Sequence, residues 1–350
     1  MKNQTVRKIF GSSYGQRGLI LAAIFIVMAI FEPKFFSGKN WASILLAISI
    51  YGIMACGMLF TILVGGIDFS VASMAACAGS YLAFTWYGSG YTTGGFIKGV
   101  LLGLLAGVIV GLLHGILTTY FGLPAFVITL ATKYLIYGYT ILYTKGTFVY
   151  PARQEGRFDP YYFLGNARFL GLTMPVWFFI IVVVITGFVL SKTTFGRRLY
   201  AVGGSIRASE YVGINTKRHI IATYIISALC ASVGGMVLVS LNMQAGSTTA
   251  NAYEGSVLMA MVVGGINLAG GEGGIVDAVF GSLLVGILNN MMILLGVPSD
   301  YIKAIQGVII IVAVALNVYT ARKSAGIISP KKAKKLAEEA AKKRAQEAQG

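Results

Sequence analysis

The sequence is short of charge, and shortest of acidic residues. Of its 350 residues, 11% are charged and only 12 are Asp or Glu, whereas a soluble domain typically devotes about a quarter of its residues to charge. Hydrophobic residues make up 56% of the chain. This composition excludes an ordinary soluble domain and indicates an integral membrane protein.

Histidine and cysteine are also scarce, with two and three residues respectively. His114 and His219 are isolated from each other and from any nucleophile, so we expect hydrogen-bonded or interfacial histidines and no active site. Cys56, Cys77 and Cys230 lie in apolar runs without a CxxC pair, which indicates neither a metal site nor a disulfide framework. The chain is therefore not expected to be an enzyme.

A phosphate-binding loop is missing as well, because no segment matches G-x-x-x-x-G-K-[ST]. If ATP drives this protein, a separate subunit must bind ATP and Mg²⁺, and no cofactor is expected on this chain. The formal net charge of +16 could suggest nucleic acid. The basic residues stand in short segments between apolar runs, however, and form no stacking platform with aromatics, so no nucleic-acid partner is expected.

Long apolar runs are what the sequence does contain. At about 20 residues per helical span, crossings are predicted at 18–32, 42–63, 69–88, 96–121, 124–143, 172–191, 219–240, 253–267, 275–296 and 302–319. The second contains Gly52 and Gly57, which could break it, and the eighth is short, so eight or nine crossings are the alternatives. The predicted fold is an all-α, polytopic transmembrane bundle.

The distribution of basic residues orients the chain. With ten crossings and the N-terminus inside, the segments 1–17, 192–218 and 320–350 are cytoplasmic and hold 4, 6 and 9 Lys and Arg, which is 19 of the 28. This bias agrees with the positive-inside rule. We therefore predict a cytoplasmic N-terminus (1–17), a transmembrane domain (18–320), an extracytoplasmic loop (144–171) and a basic cytoplasmic tail (321–350) that anionic lipid headgroups could attract.

Glycine is abundant and patterned. A stripe at every fourth position lines one helix face and permits close helix packing in lipid; it comprises Gly99, Gly103, Gly107, Gly111 and Gly115. Two short segments, VGGIDFS at 64–70 and VGGINLA at 263–269, resemble each other, either as an internal repeat or as a local turn. Both readings predict a tight turn followed by a helix N-cap.

Four longer motifs occur in order along the chain. They are GGIDFSVAS at 65–73, FGRRLYAVGGSIRASEYVGI at 195–214, YEGSVLMAMVVGGINLAGGEGGIVDAVFGSLLVGILNN at 253–290 and LGVPSDYIKAIQGVIII at 295–311. As a set they resemble the membrane permease of ribose-type sugar ABC importers, over nearly the whole chain. The resemblance implies a multi-pass subunit of the bacterial cytoplasmic membrane that forms the translocation pathway for a monosaccharide or similar small polyol. The implied partners are a second permease copy or paralogue, an ABC ATPase subunit and an extracytoplasmic sugar-binding protein.

The resemblance also implies that the loop at 192–218 contacts the ATPase. The candidate coupling residues are Gly196, Arg197, Gly203, Gly204, Ser205, Arg207, Ala208, Glu210 and Gly213. The loop departs from the family pattern at Ser205, Ile206 and Ser209. We expect a short helix from about Ser205 to Val212, with Ser205 as its N-cap, to fit a groove on the ATPase; the alternative is an ordinary basic loop.

A charge inside the fifth predicted span, Lys133, is the sharpest anomaly, because such charges are costly and usually functional. Its alternative reading is a lysine that snorkels to the membrane surface. The acids Asp68, Glu254, Asp277 and Asp300 lie near span ends, where helix capping is the default explanation.

Amides and hydroxyls within spans could bind sugar hydroxyls, although interhelical hydrogen bonding explains each of them equally well. The pathway candidates are Asp68, Thr129, Lys133, Asn242, Gln244, Asn289, Asn290 and Gln306. In the loop at 144–171, Arg153, Arg157 and Arg168 could pair with carboxylates of the binding protein, or could simply be solvated.

Two other classes of protein fit the sequence less well. A stand-alone secondary transporter of a small polar solute would need ion-coupling carboxylates deep in its spans, whereas the acids here cluster near predicted span ends. A membrane-embedded enzyme would need a His, Ser or carboxylate cluster at one depth, and the sequence shows none.

Overall fold

The computed structural model describes residues 13–324. Over that range the chain forms thirteen α-helices, one short 3-10 helix and one two-stranded antiparallel ribbon. Most of the predicted N-terminal segment 1–17 and nearly all of the predicted tail 321–350 lie outside the described residues.

The helices follow one another with short connections. They are α1 (Ser13–Phe31), α2 (Gly38–Leu63), α3 (Val71–Gly88), α4 (Thr93–Tyr120), α5 (Ala125–Thr144), α6 (Pro160–Asn166), α7 (Met174–Lys192), α8 (Thr194–Gly204), α9 (Ile206–Tyr211), α10 (Thr216–Asn242), α11 (Tyr253–Val263), α12 (Ile275–Leu294) and α13 (Ser299–Ser324). The 3-10 helix is Pro33–Phe36, and the ribbon pairs β1 (Arg168–Phe169) with β2 (Leu172–Thr173).

Each of the ten predicted spans coincides with one of these helices. Within residues 13–324, six helices are both long and apolar enough to cross a membrane: α2, α4, α5, α7, α10 and α12. The all-helical membrane class is therefore confirmed. A total of eight to ten crossings and the cytoplasmic position of both termini stay predictions.

Side-chain caps explain where many helices begin. A Ser, Thr, Asp or Asn oxygen accepts a hydrogen bond from a backbone N–H of the first turn, which has no partner within the helix. The residues that do this are Ser37, Thr92, Asp159, Thr193, Ser205 and Asn215. The sequence therefore fixes the start of each of these helices locally.

Helix α2 is continuous, although its glycines were expected to be able to break it. The ring of Phe179 occupies the space beside Gly52, where a Cβ would lie 2.5 Å from it, and the Cβ of Cys230 lies equally close to Gly57. The two glycines thus admit neighbouring helices and do not bend α2. Cys56 and Cys77 are buried, Cys230 is half-buried, and all three are free.

The glycine stripe of α4 faces two central helices. A Cβ on Gly99 would lie 2.7 Å from the Cα of Leu82 on α3, and one on Gly111 would lie 2.5 Å from the Cα of Ile225 on α10. Backbones that approach this closely gain dispersion contacts that lipid cannot match. The structural interpretation of the stripe is confirmed, and α10 is thereby held at the centre against α2, α3 and α4.

Helix α11 is the main departure from the predicted spans. It has 11 residues, so it is about 16 Å long, roughly half of the 30 Å hydrocarbon thickness. It ends where Gly265 adopts a φ of +81°, and it begins after an irregular segment, 243–252. Ala252, at its start, has a φ of +69°, a conformation that costs a non-glycine residue about 1–3 kcal/mol. The eighth predicted span is therefore a half-helix.

The segment between α5 and α7 is docked onto the bundle. The phenol of Tyr161 on α6 is fully buried, stacks on Trp86 at 4.8 Å and donates a hydrogen bond to the carbonyl of Val239 at 2.8 Å. Burial, reinforced by Asp159, raises the pKa of Tyr161, so this donor keeps its proton. A backbone bridge between Val149 and Ala245 joins the same segment to the chain beyond α10.

Candidate translocation site and cytoplasmic junction

A polar cavity of about 200 Å³ lies where α3, α5, the irregular segment 243–252 and the start of α11 meet. Its lining combines hydroxyl, amide, charged and aromatic groups: Ala72, Ser73, Lys133, Tyr134, Tyr137, Ser247, Thr248, Ala250, Asn251 and Glu254. Tyr134 is 65% exposed, so the cavity opens toward the outer surface of α5. We call this space the polar cavity.

Lys133 and Glu254 form an ion pair inside the polar cavity. The Lys133 ammonium donates to Glu254 Oε1, and the two side chains are 26% and 14% exposed. Lys133 lies near the middle of the twenty-residue α5, and its charge is paired with a carboxylate of α11. The second carboxylate oxygen, Glu254 Oε2, is buried and has no hydrogen-bond partner among the described residues.

Glu254 was expected to be a helix cap, and this interpretation needs correction. It does lie in the first turn of α11, where a carboxylate is favoured by the helix dipole, but its side chain turns to Lys133. The sequence does carry a signal for this pair, because a lone lysine within a span requires an acid at the same depth. Since α11 is a half-helix, its N-terminus can reach that depth.

The other pathway candidates do not line the polar cavity. The hydroxyl of Thr129 donates to the carbonyl of Ile67 at 3.0 Å. Asn242 is exposed at the end of α10, and Gln244 is half-buried just beyond it. Thr129 therefore fits the hydrogen-bonding alternative, whereas Asn242 and Gln244 lie at or just beyond the end of a helix.

The amides of α12 pair with neighbouring helices. Asn290 and Asn40 exchange two hydrogen bonds, of 2.9 and 2.7 Å, which tie α12 to the start of α2. Asn289 accepts a bond of 2.8 Å from the amide of Gln306 on α13. These contacts hold three helices together, and of the eight candidates Lys133 is the one that lines the polar cavity.

Asp68 is fully buried and shapes a turn. Its Oδ1 accepts from the backbone N–H of Ser70 at 2.9 Å and from the Ser70 hydroxyl at 2.7 Å, and its Oδ2 accepts from the Ser227 hydroxyl at 2.8 Å. Asn267 Oδ1 likewise accepts from the N–H of Ala269 at 3.0 Å. The two similar segments thus form the same type of turn, as predicted, whichever origin they have. The predicted N-cap does not follow, because the N-cap residues of α3 and α12 are Ser70 and Gly274, and neither makes a side-chain cap hydrogen bond.

His114 contradicts its expected satisfied state. It is fully buried on α4, with its ring edge-on to Tyr224 at 5.8 Å. Neither ring nitrogen has a hydrogen-bond partner within residues 13–324, and the hydroxyls of Tyr224 and Thr118 are also buried. His219 behaves as expected: it is half-buried, stacks on Phe195 at 5.4 Å, and its Nδ1 lies 2.8 Å from the Asn215 carbonyl.

The predicted coupling loop consists of two helices, α8 and α9. The Ser205 hydroxyl accepts from the N–H of Ala208 at 3.2 Å, which confirms the predicted helix and its N-cap. Thr216 donates to the carboxylate of Glu210 at 2.7 Å and closes the end of the loop. At the end of α9, Tyr211 and Val212 are 92% and 75% exposed, so the tip of the loop presents apolar surface.

The remaining coupling candidates divide into two groups. Arg197, Gly204, Arg207 and Ala208 are exposed, and Gly213 sits at the exposed end of α9 with a φ of +80°. Gly196 is buried against the end of α7 and Gly203 packs against the bundle. The first group is accessible to a partner, and the second attaches the loop to the membrane helices.

Gly203 belongs to a cluster of backbone contacts that we call the glycine junction, formed by Leu63, Gly65, Gly203, Gly270 and Gly271. The N–H of Gly271 donates to the carbonyl of Leu63 at 2.9 Å. A Cβ on Gly203 would overlap that carbonyl and lie 2.6 Å from the N of Gly271. At the glycine junction the end of α8 thus meets the end of α2 and the glycine pair 270–271 through backbone atoms. Beside it, the buried side chain of Val202 packs on Val64, and the Tyr200 hydroxyl donates to the Gly273 carbonyl at 2.8 Å.

At the other end of the molecule, two of the three candidate docking arginines lie beside a groove. The Arg153 guanidinium covers the ring of Tyr162 at 4.4 Å, and Arg157 donates to the Tyr91 carbonyl at 3.0 Å. Both line the groove, of about 180 Å³, together with Phe158. Arg168 lies on β1, is exposed and does not line it.

Comparison with known proteins places residues 40–314 under the family model described as branched-chain amino acid transport system / permease component. The ribose import permease protein RbsC of Bacillus subtilis is 36% identical over 85% of this chain and 90% of its own length. The L-arabinose transport system permease protein AraH of Escherichia coli is 36% identical over 89% and 92%, respectively. The D-allose transport system permease protein AlsC of Escherichia coli is 32% identical over 88% and 92%. No solved structure matches the chain significantly.

Proposed function

This chain belongs to the family described as branched-chain amino acid transport system / permease component, and from that membership we propose that it forms the membrane pathway of an ATP-driven importer of a monosaccharide or similar small polyol. Three relatives that cover most of the chain are named for ribose, L-arabinose and D-allose transport. Each of these sugars carries several hydroxyl groups and has no net charge. The protein is accordingly a multi-pass membrane permease, and we assign it to the bacterial cytoplasmic membrane.

The Lys133–Glu254 ion pair in the polar cavity carries this proposal. An irregular segment and a half-helix are tolerated at membrane depth only where they are buried in protein or line a water-filled space. In known transporters, broken helices of this kind point their N-termini at the solute site. The polar cavity combines a half-helix, an ion pair and hydroxyl groups, which are the features of a solute path.

A second permease copy or a paralogue completes the path. The polar cavity opens at the outer side of α5, where lipid would meet an ammonium and a carboxylate at high cost. A second subunit packed on the face of α5 and α11 removes that cost. The solute would then pass between the two subunits, with Lys133 and Glu254 of each facing the path.

Energy enters from a separate ATPase. With ten crossings and both termini in the cytoplasm, α8 and α9 lie on the cytoplasmic face, and the exposed tip around Tyr211 and Val212 is the surface that an ATPase groove would hold. ATP-driven closure of the ATPase would move α8, and rigid helices would open the path to each side in turn. The groove beside Arg153 and Arg157 would receive an extracytoplasmic sugar-binding protein.

The test is ATP-dependent uptake by the reconstituted assembly of permease, its ATPase and its binding protein. Uptake of at least one of D-ribose, L-arabinose and D-allose should require ATP inside the vesicles and the binding protein outside. Uptake by this chain alone, driven by an ion gradient, would instead establish a secondary transporter. One observation favours that second candidate: Glu254 is a carboxylate at depth, which the sequence had not revealed.

A further inference from the structure

The polar cavity holds more hydrogen-bonding capacity than the protein itself uses. Glu254 Oε2 is buried without a partner among the described residues. The Lys133 ammonium has three protons and gives one to Glu254 Oε1. The side chains of Ser73, Thr248 and Asn251 line the same space and make no hydrogen bond to another residue of the range 13–324.

A buried carboxylate oxygen without a donor is expensive, because it has lost its water without gaining a partner. Water can fill that role in the resting state. A solute that offers hydroxyl donors at the same position can replace the water and retain the hydrogen bonds. The unpaired carboxylate oxygen of Glu254 therefore indicates a ligand that donates hydrogen bonds through hydroxyl groups.

The aromatic wall suits a ring with C–H faces. Tyr134 and Tyr137 are three residues apart on α5, so they lie on neighbouring positions of one helix face, and both line the polar cavity. A flat phenol ring can cover the apolar face of a small ring while charged and polar groups bind its edge. The volume of about 200 Å³ lies below the roughly 300–1,000 Å³ of sites for drug-sized ligands.

The charge balance favours a neutral ligand. Lys133 and Glu254 compensate each other, so a charged solute would have to break their ion pair or add an unpaired charge. A zwitterionic amino acid would insert between them and separate them. A polyol can use Glu254 Oε2 and the spare ammonium protons while the pair stays intact.

We propose that the polar cavity is a binding subsite for one neutral polyol ring, in which Glu254 Oε2 accepts hydrogen bonds from vicinal hydroxyls, Lys133 donates to a ring or hydroxyl oxygen, and Tyr134 and Tyr137 cover the ring. This subsite rests on the proposed transport function and adds to it a direct chemical contact between permease and solute. The permease then recognises hydroxyl pairs itself, independently of the binding protein.

Saturation-transfer difference NMR on the full-length permease in nanodiscs tests the subsite without ATP or the binding protein. The probes are D-ribose, L-arabinose and D-allose, each in large excess. 2-Deoxy-D-ribose serves as the analogue that lacks the hydroxyl at C2, and L-leucine serves as the zwitterion. We expect transfer from at least one of the three sugars and a weaker signal from 2-deoxy-D-ribose. Transfer from L-leucine alone would overturn the assignment to polyols.

Variants separate the subsite from surface binding. Glu254→Gln should lower the sugar signal roughly tenfold or more, since hydrogen bonds to charged groups are about twice as strong as neutral ones. Glu155→Gln, which alters an exposed carboxylate in the segment 144–171, should leave the signal unchanged. The neutral double variant Lys133→Gln with Glu254→Gln leaves no unpaired charge, so a signal lost in this variant too cannot be ascribed to an orphaned lysine.

The outcomes distinguish this inference from the proposed function. If the wild-type assembly imports sugar with ATP while Glu254→Gln and Glu155→Gln give equal NMR signals and equal uptake, the subsite is wrong and the permease assignment stands. If the NMR signal depends on Glu254 while the assembly shows no ATP-dependent uptake, the subsite stands and the importer assignment is wrong.

Discussion

Lys133 on α5 and Glu254 on α11 are 121 positions apart in the sequence and form an ion pair in the structure. Each is the partner that makes the other tolerable within the membrane helices. Substituting one leaves the other unpaired at depth, where a lone charge is costly.

We therefore predict that Lys133→Ala lowers uptake roughly tenfold without lowering the amount of permease in the membrane. A tenfold change corresponds to about 1.4 kcal/mol of free energy. Lys145→Ala, at the exposed end of α5, is the matched control and should transport normally. The exchange Lys133→Glu with Glu254→Lys should recover part of the lost uptake. Normal uptake by Lys133→Ala would support the snorkelling interpretation.

The coupling loop should be needed for the ATPase to remain bound. Gly204→Pro distorts the last turn of α8, and Arg207→Glu reverses an exposed charge in the first turn of α9. We expect either change to abolish co-purification of the ATPase while the permease still inserts. Arg157→Glu, the same change in the segment 144–171, should retain the ATPase. If both loop variants also retain it, the loop does not bind the ATPase.

The glycine junction should transmit motion from the coupling loop to the membrane helices, and it should not be needed for the ATPase to bind. A Cβ at position 203 would overlap the carbonyl of Leu63, whereas Gly204 has no atom within 4 Å of the corresponding position. Gly203→Ala should therefore keep the ATPase bound but reduce ATP-driven uptake several-fold. Gly204→Ala should leave both intact. Equal uptake by the two alanine variants, measured in the same vesicles, would argue against transmission through this contact.

The buried phenol of Tyr161 should stabilise the fold. Tyr161→Phe removes the hydrogen bond to the Val239 carbonyl and should cost about 1 kcal/mol, the usual net value of such a bond. Thermal unfolding in detergent would measure this as a lower Tm. Tyr162→Phe is the control, because no described residue hydrogen-bonds its hydroxyl. An unchanged Tm for Tyr161→Phe would mean that the phenol contributes through packing alone.

The groove beside Arg153 and Arg157 should bind the extracytoplasmic protein. Arg153→Glu with Arg157→Glu should weaken that association at low ionic strength by roughly tenfold or more, since charge reversal at an interface adds repulsion to the lost attraction. Arg168 lies outside the groove, so Arg168→Glu should have a smaller effect on this association. Surface plasmon resonance with the immobilised permease can compare the affinities of the wild type, the double variant and Arg168→Glu for the binding protein. Similar affinities would indicate that these arginines are only solvated.

Local patterns predicted most of the fold. The ten apolar runs became helices because a run of that length has to satisfy its backbone internally in lipid. The glycine stripe of α4 is a repeat within a single helix, and the Ser205 cap acts within one helical turn, so the sequence alone could identify both.

What the sequence did not predict depends on distant parts of the chain. The half-length of α11 follows from the turn at Gly265 and from the segment before Ala252, neither of which changes the apolar character of the run. The pairing of Lys133 with Glu254 requires α5 and α11 to be neighbours, which no local pattern encodes. His114 lies on the glycine-rich face of α4, and its burial without a partner appears only once α10 covers it.

The glycine junction joins the end of α8 to the bundle without any side chain. Side chains between two moving parts can change rotamer and absorb a displacement, and long flexible ones absorb the most. Where carbonyl meets amide directly, as between Leu63 and Gly271 with Gly203 against both, no such slack exists. A shift of α8 would therefore displace the end of α2 and the glycine pair 270–271 together.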